Sequence, residues 1–350
     1  MRAASIAVVG LGQTGRRLAE AFTAISGCEL RWLCDVELSA REEMRLLFGG
    51  ARTTGDLEQV LKDPKVDAVV IATPALTHAS LARRALNRGK HVFVEKPLAI
   101  NAEDARALAS LALDERLLLM AGHSLLFHPA VLKMKELIET GELGRVFYIY
   151  GNRQNLGQVT LHENVLWNLA PHDVPVIIHL LDELPVEVSA HGDGYLRRGV
   201  PDVVYCYLRF ASGISAHLHL SWLDPQKLRR LTVVGSNRMA VFDDTEADRK
   251  LTIYEKAAIP RRTDGSGHYM QVRSGGIFCP KVASADPLRL QCEHFVRALT
   301  ADEDLNVGTA AAVGVVAVLA ALQESLDHAG AVIALERPRP QHLRVLLPGG

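Results

Sequence analysis

The sequence predicts an α/β domain with a parallel sheet, followed by an α+β domain with a large, mostly antiparallel open sheet. In the first 122 residues, short apolar runs alternate with helical patterns, which is typical of a parallel sheet covered by helices. After residue 122, apolar runs follow one another with few helices between them, which favours antiparallel pairing. We therefore predict domains at 1–122 and 123–350, and a chain of 350 residues is long enough for two cores.

The first domain is predicted to contain five strands separated by helices. Asn101 stands before an apolar helical pattern, with Asp104 three residues later, and this predicts an N-cap. The strands are predicted at Ile6–Val9, Leu30–Cys34, Ala68–Ala72, His91–Glu95 and Leu117–Ala121. The clearest helices are predicted at Arg16–Ala24, His78–Asn87 and Ala102–Leu113.

The second domain is predicted to begin with helices around one strand and to continue as a sheet. A glycine- and serine-rich stretch, 261–285, is predicted to be a long loop. Helices are predicted at Ala130–Glu139, Leu169–Leu181, Leu288–Leu299 and Ala310–Leu326. Strands are predicted at Val146–Arg153, Val186–His191, Val203–Phe210, Ile214–Trp222, Leu231–Gly235, Met239–Phe242 and Lys250–Tyr254.

Composition excludes several classes of partner. The formal net charge is −1, so no bulk electrostatic attraction to nucleic acid or to an anionic membrane is expected. The five cysteines are widely spaced and form no C-x-x-C motif, which is typical of reduced thiols and predicts a cytoplasmic protein. The apolar stretch Ala310–Leu322 is shorter than the roughly 20 residues of a membrane span and is interpreted as a buried helix.

The first candidate site is the glycine motif Gly10-x-Gly12-x-x-Gly15, which follows the first strand and opens the first helix. Gly10 suits the tight turn, Gly12 lets a pyrophosphate approach the backbone, and Gly15 lets the helix pack on the strand. With Gln13 and Thr14 between them, these residues begin a helix whose N–H groups favour phosphate. The motif predicts a Rossmann-type dinucleotide site.

Asp35 ends the second predicted strand, twenty positions after Gly15. A carboxylate at this place accepts hydrogen bonds from the ribose hydroxyls of NAD. It also repels the 2′-phosphate of NADP, and Val36 and Glu37 offer no adjacent arginine to compensate. We therefore expect NAD as the cofactor, with NADP less favoured.

The second candidate site is Glu95-Lys96-Pro97, at the carboxyl end of a predicted parallel strand. Ligands of open α/β sheets bind beyond this end of the strands. An ammonium group there can stabilise an oxygen that becomes negative as hydride leaves its carbon. Lys96 is therefore a candidate catalytic residue, and an ordinary loop lysine is the alternative.

Together these motifs resemble the glucose–fructose oxidoreductase, inositol dehydrogenase and rhizopine catabolism protein (Gfo/Idh/MocA) family. The resemblance implies NAD(P)-dependent oxidation or reduction of sugars or polyols, and homodimers or homotetramers. It includes the turn Ala72-Thr73-Pro74 with His78, and the stretch from Gly89 to Leu98. It implies cofactor contacts from Thr73, Pro74, His78, Glu95 and Lys96.

The resemblance also directs attention to Asn168 and His172. Family members carry a histidine four residues after an Asp, Asn or Tyr, on a helix that faces the nicotinamide. The spacing places both side chains on one helix face, and imidazole suits a general base for the hydroxyl proton. Asn168 would position the sugar. The alternatives are that Asn168 is an N-cap and that His172 is a satisfied core histidine.

The substrate is predicted less firmly. The inositol dehydrogenase type carries Asp where this chain has Asn168, which resembles the branch acting on UDP-N-acetylglucosamine or its uronate. Arg153 and Asn155 follow the first strand of the second domain, and Arg153 could hold a diphosphate or carboxylate bidentately. The alternatives are a free-sugar or cyclitol dehydrogenase and a non-catalytic regulator that senses a sugar or dinucleotide. The exact substrate and the direction of reaction stay open.

No metal site is expected. The chain has 14 histidines, including the pair His217-x-His219, but no H-E-x-x-H motif and no cysteine cluster accompanies them.

Overall fold

The computed structural model describes residues 3–157, 159, 163–262, 268–300 and 308–336. These residues form two compact units. The first unit runs to residue 127 and also includes 285–300 and 308–317. The second unit contains the described residues of 128–284 and 318–336. The predicted domains, divided once after residue 122, differ from these units because a late part of the chain packs with the first unit.

The first unit is built on a six-stranded, fully parallel sheet. The strands are Ala4–Val9 (β1), Cys28–Cys34 (β2), Arg52–Thr54 (β3), Ala68–Ile71 (β4), His91–Glu95 (β5) and Leu119–Gly122 (β6). Their order is β3-β2-β1-β4-β5-β6, so the direction of winding reverses between β1 and β4. Crevices at such a reversal are where open α/β sheets bind ligands. β1 and β4 are buried along their whole length, as expected for central parallel strands.

Helices cover this sheet and bury their apolar faces against it. They are Gln13–Thr23 (α1), Leu38–Leu47 (α2), Leu57–Lys62 (α3), Ala75–Leu86 (α4) and Ala102–Asp114 (α5). The predicted N-cap of α5 is confirmed, because Asn101 Oδ1 accepts a hydrogen bond from the Asp104 N–H at 2.8 Å. β3, α2 and α3 were not predicted individually, and β3 and α3 are only three and six residues long.

The second unit holds helices Pro129–Glu139 (α6) and Val165–Leu181 (α7) and a nine-stranded sheet. Its strands are Val146–Gln154 (β7), Pro185–Asp193 (β8), Val203–Phe210 (β9), Ser215–Ser221 (β10), Leu228–Gly235 (β11), Met239–Asp243 (β12), Leu251–Arg262 (β13), His268–Phe278 (β14) and Ile333–Ala334 (β15). The order is β14-β13-β12-β11-β7-β10-β9-β8-β15. Only the β7–β10 pair among these is parallel, so the prediction of a mostly antiparallel sheet is confirmed.

The predicted loop at 261–285 was wrong over much of its length. Its residues 268–278 form β14, which pairs antiparallel with β13. Residues 271–278 are exposed, so this edge strand lacks the alternation of buried and exposed side chains by which strands are predicted. Backbone pairing holds the strand without a buried face. The residues between the two strands, 263–267, lie outside the described residues.

Two helices close the described chain, Pro287–Thr300 (α8) and Thr309–Asp327 (α9). α9 is long and apolar enough to cross a membrane, but 56% of its most apolar window is buried inside the protein. Within the first unit, Thr309 Oγ1 donates to the Leu119 carbonyl oxygen at 2.6 Å, and Ala312 and Val316 join the core beneath the parallel sheet. These contacts support the predicted role of α9 as a buried helix of the core.

Candidate active site

The turn between β1 and α1 uses its glycines for different purposes. Gly10 has a φ of +88°, and a Cβ there would lie 2.7 Å from the backbone carbon of Ala72. A Cβ on Gly15 would lie 1.8 Å from the carbonyl oxygen of Gly10. At Gly12, by contrast, no described atom lies within 4 Å of the Cβ position. The backbone therefore requires glycine at 10 and 15, whereas Gly12 leaves space open at the start of α1.

The open space at Gly12 suits an anion. Gly12 is the N-cap of α1, and no side chain of the described chain caps that end. Gln13 and Thr14 are exposed, and the first turn holds no acidic residue. Unpaired N–H groups and the positive end of the helix dipole favour phosphate at such a terminus. These residues fit the pyrophosphate of a dinucleotide.

We predict that Gly12→Val and Gly15→Ala fail in different ways. Valine at 12 fills the open space, so the dissociation constant for NAD should rise at least about tenfold with little loss of stability. Alanine at 15 meets backbone atoms, so the free energy of unfolding should fall by about 1–3 kcal/mol or more. Calorimetric NAD titration and thermal unfolding separate the two outcomes. A Gly12→Val protein that binds NAD as tightly as the wild type contradicts the assignment.

Asp35 lies at the end of β2, beside the glycine turn. Its Oδ2 accepts a hydrogen bond from the Leu11 N–H at 2.6 Å, and its Oδ1 accepts one from the Glu37 N–H at 2.9 Å. These bonds fix the orientation of the carboxylate next to the turn that fits the pyrophosphate. The position agrees with the predicted contact to the ribose of NAD.

Arg41 corrects one step of the cofactor argument. Its Nη1 donates to the carbonyl oxygens of Asp35 at 2.7 Å and Val36 at 2.9 Å. An arginine therefore does stand beside Asp35, the residue predicted to contact the ribose, because the first turn of α2 brings residue 41 back over the end of β2. Val36 and Glu37 offer no arginine, but Arg41 does, so the predicted preference for NAD rests on the Asp35 charge alone.

The turn after β4 is held to the segment after β5 by His78. Its side chain is 1% exposed. Its Nδ1 lies 2.7 Å from the Pro97 carbonyl oxygen, and its Nε2 lies 2.8 Å from the Thr73 carbonyl oxygen. These contacts give His78 a structural role in shaping the turn Thr73-Pro74, and its predicted contact with the cofactor stays a prediction.

Glu95 and Lys96 occupy the predicted position at the end of β5, and both are half-buried. The Lys96 N–H donates to Glu95 Oε2 at 3.0 Å. Burial raises the pKa of Glu95, against the opposing effect of the Lys96 charge. Since β1, β4 and β5 are neighbours in the parallel sheet, Gly10, Thr73 and Lys96 lie at the same edge. The first unit thus brings the predicted site residues Gly10, Thr73 and Lys96 to one edge of its sheet.

In the second unit, α7 carries the predicted pair Asn168 and His172. The helix begins at Val165, one turn earlier than predicted, and Asn164 is its N-cap, with Oδ1 accepting from the Trp167 N–H at 3.2 Å. The alternative that Asn168 is the N-cap was therefore wrong. Asn168 and His172 are both half-buried and stand four residues apart within the helix, on one face.

The amide of Asn168 is held by two side chains that the sequence analysis did not single out. Its Nδ2 donates to Glu163 Oε1 at 2.6 Å. Its Oδ1 accepts from Trp222 Nε1 at 3.3 Å, and Trp222 is 1% exposed. No sequence motif marks either Glu163 or Trp222 as a partner of Asn168. Trp222 lies 54 residues from Asn168 in the chain and directly follows β10.

Arg153 is engaged by a carboxylate of the protein itself. Its Nε and Nη2 donate to Asp173 at 2.7 and 2.8 Å, and both side chains are buried. Burial by itself would lower the pKa of Arg153, but the charge and hydrogen bonds of Asp173 outweigh it and raise that pKa. The bidentate partner predicted to come from a substrate is, in this structure, the residue next to His172 on α7.

The remaining candidates lie near the end of β7 and on β10. Asn155 is half-buried, and its N–H donates to the Ser221 carbonyl oxygen at 3.1 Å. His217 stacks on Tyr150, and His219 stacks on Tyr205. Within the described ranges, no three His, Cys, Asp or Glu side chains form a group able to hold a metal ion.

Comparison with protein families gives two matches. Residues 4–123 match the model described as GFO/IDH/MocA oxidoreductase family, NAD-binding Rossmann fold. Residues 131–241 match the model of the GFO/IDH/MocA C-terminal domain. The two matches follow each other in the chain, and together they include every candidate site residue named above.

Curated relatives have different printed activities. A 1-carboxy-3-chloro-3,4-dihydroxycyclohexa-1,5-diene dehydrogenase of Comamonas testosteroni is 31% identical, over 62% of this chain and 57% of that protein. A scyllo-inositol 2-dehydrogenase (NAD(+)) of Bacillus subtilis is 29% identical, over 71% of this chain and 75% of that protein. A UDP-N-acetylglucosamine 3-dehydrogenase of Acidithiobacillus ferrooxidans is 27% identical, over 84% of this chain and 88% of that protein.

Solved structures agree on the fold. A crystal form of the UDP-N-acetylglucosamine 3-dehydrogenase of Acidithiobacillus ferrooxidans has a TM-score of 0.78 and 24% identity, covering 94% of this chain and 99% of that chain. The protein GenD2 of gentamicin A biosynthesis, solved in complex with NAD, has a TM-score of 0.80 and 24% identity, covering 96% and 97%. At these identities the likeness establishes the architecture of the chain.

Proposed function

The chain belongs to the GFO/IDH/MocA oxidoreductase family, and from this premise we propose that it moves a hydride between a ring carbinol of a sugar or cyclitol and NAD(P). The observation that carries the proposal is the arrangement at one edge of the parallel sheet. The open glycine turn, the fixed carboxylate of Asp35 and the ammonium of Lys96 all follow strand ends there. Bound NAD supplies the hydride acceptor.

Lys96 has the role of stabilising charge on the reacting oxygen. As the carbinol C–H bond breaks, the hydride leaves with both electrons and the oxygen becomes more negative. The Lys96 ammonium donates a hydrogen bond to that oxygen and favours the transition state over the ground state. Glu95, bonded to the Lys96 backbone N–H, holds the loop that carries this side chain.

His172 has the role of general base, and Asn168 that of a substrate ligand. The hydroxyl proton moves to the imidazole, so the products are a ketone, the reduced cofactor and one proton. An imidazole is the side chain whose ordinary pKa suits this transfer near neutral pH. The fixed amide of Asn168, one helical turn away, binds the same or a neighbouring hydroxyl.

We propose a nucleotide sugar as the substrate. The amide at position 168 supports this choice over the inositol type, which has a carboxylate there. Among the relatives described above, the UDP-N-acetylglucosamine 3-dehydrogenase aligns over the largest share of this chain. Asn155, just beyond β7, is the residue we assign to the substrate from that strand.

A free sugar or a cyclitol is the second candidate. The observation that favours it is the burial of Arg153 against Asp173, which removes the side chain that was predicted to bind a diphosphate. A substrate without phosphate needs no such ligand. The 29% identity to the scyllo-inositol dehydrogenase supports the same choice.

A turnover screen tests these proposals. The purified protein is incubated with NAD and UDP-N-acetylglucosamine, its uronate, free hexoses or inositols, each with and without 2-oxoglutarate as a reoxidant. We expect a loss of two hydrogens from the nucleotide sugar by mass spectrometry. Oxidation of free sugars or inositols alone supports the second candidate, and a protein silent on every compound contradicts the proposed function.

We predict that the Asp35 charge sets the choice of cofactor. Asp35→Ala should raise the dissociation constant of NAD about tenfold, because hydrogen bonds to ribose hydroxyls are lost. The same change should tighten NADP binding, since Arg41 then faces the 2′-phosphate without a competing carboxylate. Calorimetry with both cofactors measures this, with Asp114→Ala on α5 as the control. An unchanged NAD affinity in Asp35→Ala overturns the assignment.

A further inference from the structure

The hydrogen bonds around Asn168 fix which end of its amide faces which partner. A carboxylate such as Glu163 only accepts, and an indole N–H such as that of Trp222 only donates. The amide nitrogen must therefore face Glu163, at 2.6 Å, and the amide oxygen must face Trp222, at 3.3 Å. The orientation follows from the chemistry of the partners and admits no flipped alternative.

Glu163 stands at the start of α7. It immediately precedes the N-cap Asn164, so its carboxylate lies near the positive end of the α7 dipole. The side chains next to Glu163 at the start of the helix are uncharged. Asn164 Nδ2 and Trp167 Nε1 both donate to Gln323 Oε1, at 2.8 and 3.1 Å. The other titratable groups on this helix are His172, one turn beyond Asn168, His179, and Asp173, which is paired with Arg153.

We propose that Glu163 is the positioning residue of this site. Its carboxylate fixes the orientation of the Asn168 amide, and it also supplies the negative charge that an aspartate at position 168 would otherwise supply. The proposal rests on the proposed function, because it takes Asn168 as the residue that meets the substrate. The arrangement makes position 168 selective: an aspartate there would place two carboxylates at a hydrogen-bond distance. One of the two would have to hold a proton.

A purely structural role for Glu163 makes different predictions. If Glu163 only anchors the start of α7, then Glu163→Gln should be nearly silent, because glutamine also accepts a hydrogen bond from Asn168. If its charge and its hold on Asn168 both matter, then the loss must depend on what stands at 168. Exchanging the side chains at positions 163 and 168 therefore distinguishes a structural role of Glu163 from a positioning role.

The test uses Glu163→Gln, Asn168→Asp and the exchange Glu163→Gln/Asn168→Asp, with Glu115→Gln at an exposed position as the control. We expect kcat/KM to fall about tenfold in Glu163→Gln. In Asn168→Asp it should fall further at high pH than at low pH, because the paired carboxylates share a proton. The exchange should restore the wild-type pH profile, with kcat/KM within about threefold, because one carboxylate and one amide are again paired.

The fluorescence of Trp222 provides a readout that needs no turnover. The chain has three tryptophans, and Trp222 is the one whose indole N–H is bonded to residue 168, so its emission should respond when that acceptor changes charge in Asn168→Asp. We expect a transition between about pH 5 and 8 in that variant, absent from the wild type and from the exchange. A missing transition in Asn168→Asp, or losses in the exchange that equal the sum of both single variants, overturns the proposal. Turnover on no panel compound, with the transition present, contradicts only the proposed function.

Discussion

Replacing Lys96 by methionine is expected to lower kcat/KM by about 100- to 1000-fold, the loss typical of removing one donor to a developing oxyanion. Methionine keeps most of the length and apolar stem of lysine but donates no hydrogen bond. NAD binding should stay within about threefold of the wild type, because the backbone that shapes the end of β5 is unchanged. The measurement is steady-state turnover on the substrate found in the screen, with calorimetric NAD titration alongside.

The control for Lys96→Met is Lys62→Met, at an exposed position near the end of α3. It changes the net charge by the same amount and should leave kcat/KM unchanged. If Lys96→Met kept full biological activity, the chain would instead act as a non-catalytic regulator that senses a sugar or dinucleotide. That outcome would remove the chemical role assigned to the Glu95-Lys96-Pro97 segment.

Replacing Asp173 by alanine is expected to destabilise the protein by about 3–5 kcal/mol, because it leaves the Arg153 guanidinium buried without its carboxylate. The pair is bidentate, at 2.7 and 2.8 Å, and both side chains are buried. It fastens α7 to β7 at the residue that follows His172. The midpoint of urea unfolding measures the loss, and residual activity in the folded fraction should fall with it.

The matched variant for Asp173→Ala removes both charges. Arg153→Met/Asp173→Leu should recover much of the lost stability, since an apolar pair of similar volume often replaces a buried ion pair with little cost. Equal destabilisation in the single and double variants contradicts an origin in the unpaired charge. Full stability in Asp173→Ala would instead indicate that Arg153 finds another partner, which would return it to the candidates for binding substrate.

The first unit could be predicted in detail because its signals are local. A buried strand, a glycine turn and a helix follow one another within Ala4–Thr23, and the end of each strand lies close in sequence to the residues that shape the site. The positions of Asp35 and Lys96 follow from strand ends alone. The helix starts were less well predicted, since residues next to Gly12 and Pro74 resemble loops in sequence.

The second unit could be predicted only in outline because its site depends on contacts between distant positions. Trp222 is brought to Asn168 by the pairing of β9 and β10, and Asp173 reaches Arg153 through the packing of α7 on the sheet. Arg41 is a smaller example, since one helical turn brings it back to Asp35. No motif or periodicity in the sequence indicates these pairs.

The most direct test of hydride transfer is the path of a carbon-bound hydrogen. The wild-type protein is incubated with NAD and a panel of sugars, nucleotide sugars and inositols deuterated at their ring carbons, and the reduced cofactor is analysed by mass spectrometry. We predict that the reduced cofactor gains one deuterium from one class of compound, and that Lys96→Met abolishes the gain. Reduced cofactor without deuterium, or no reduced cofactor from any compound, would contradict the account.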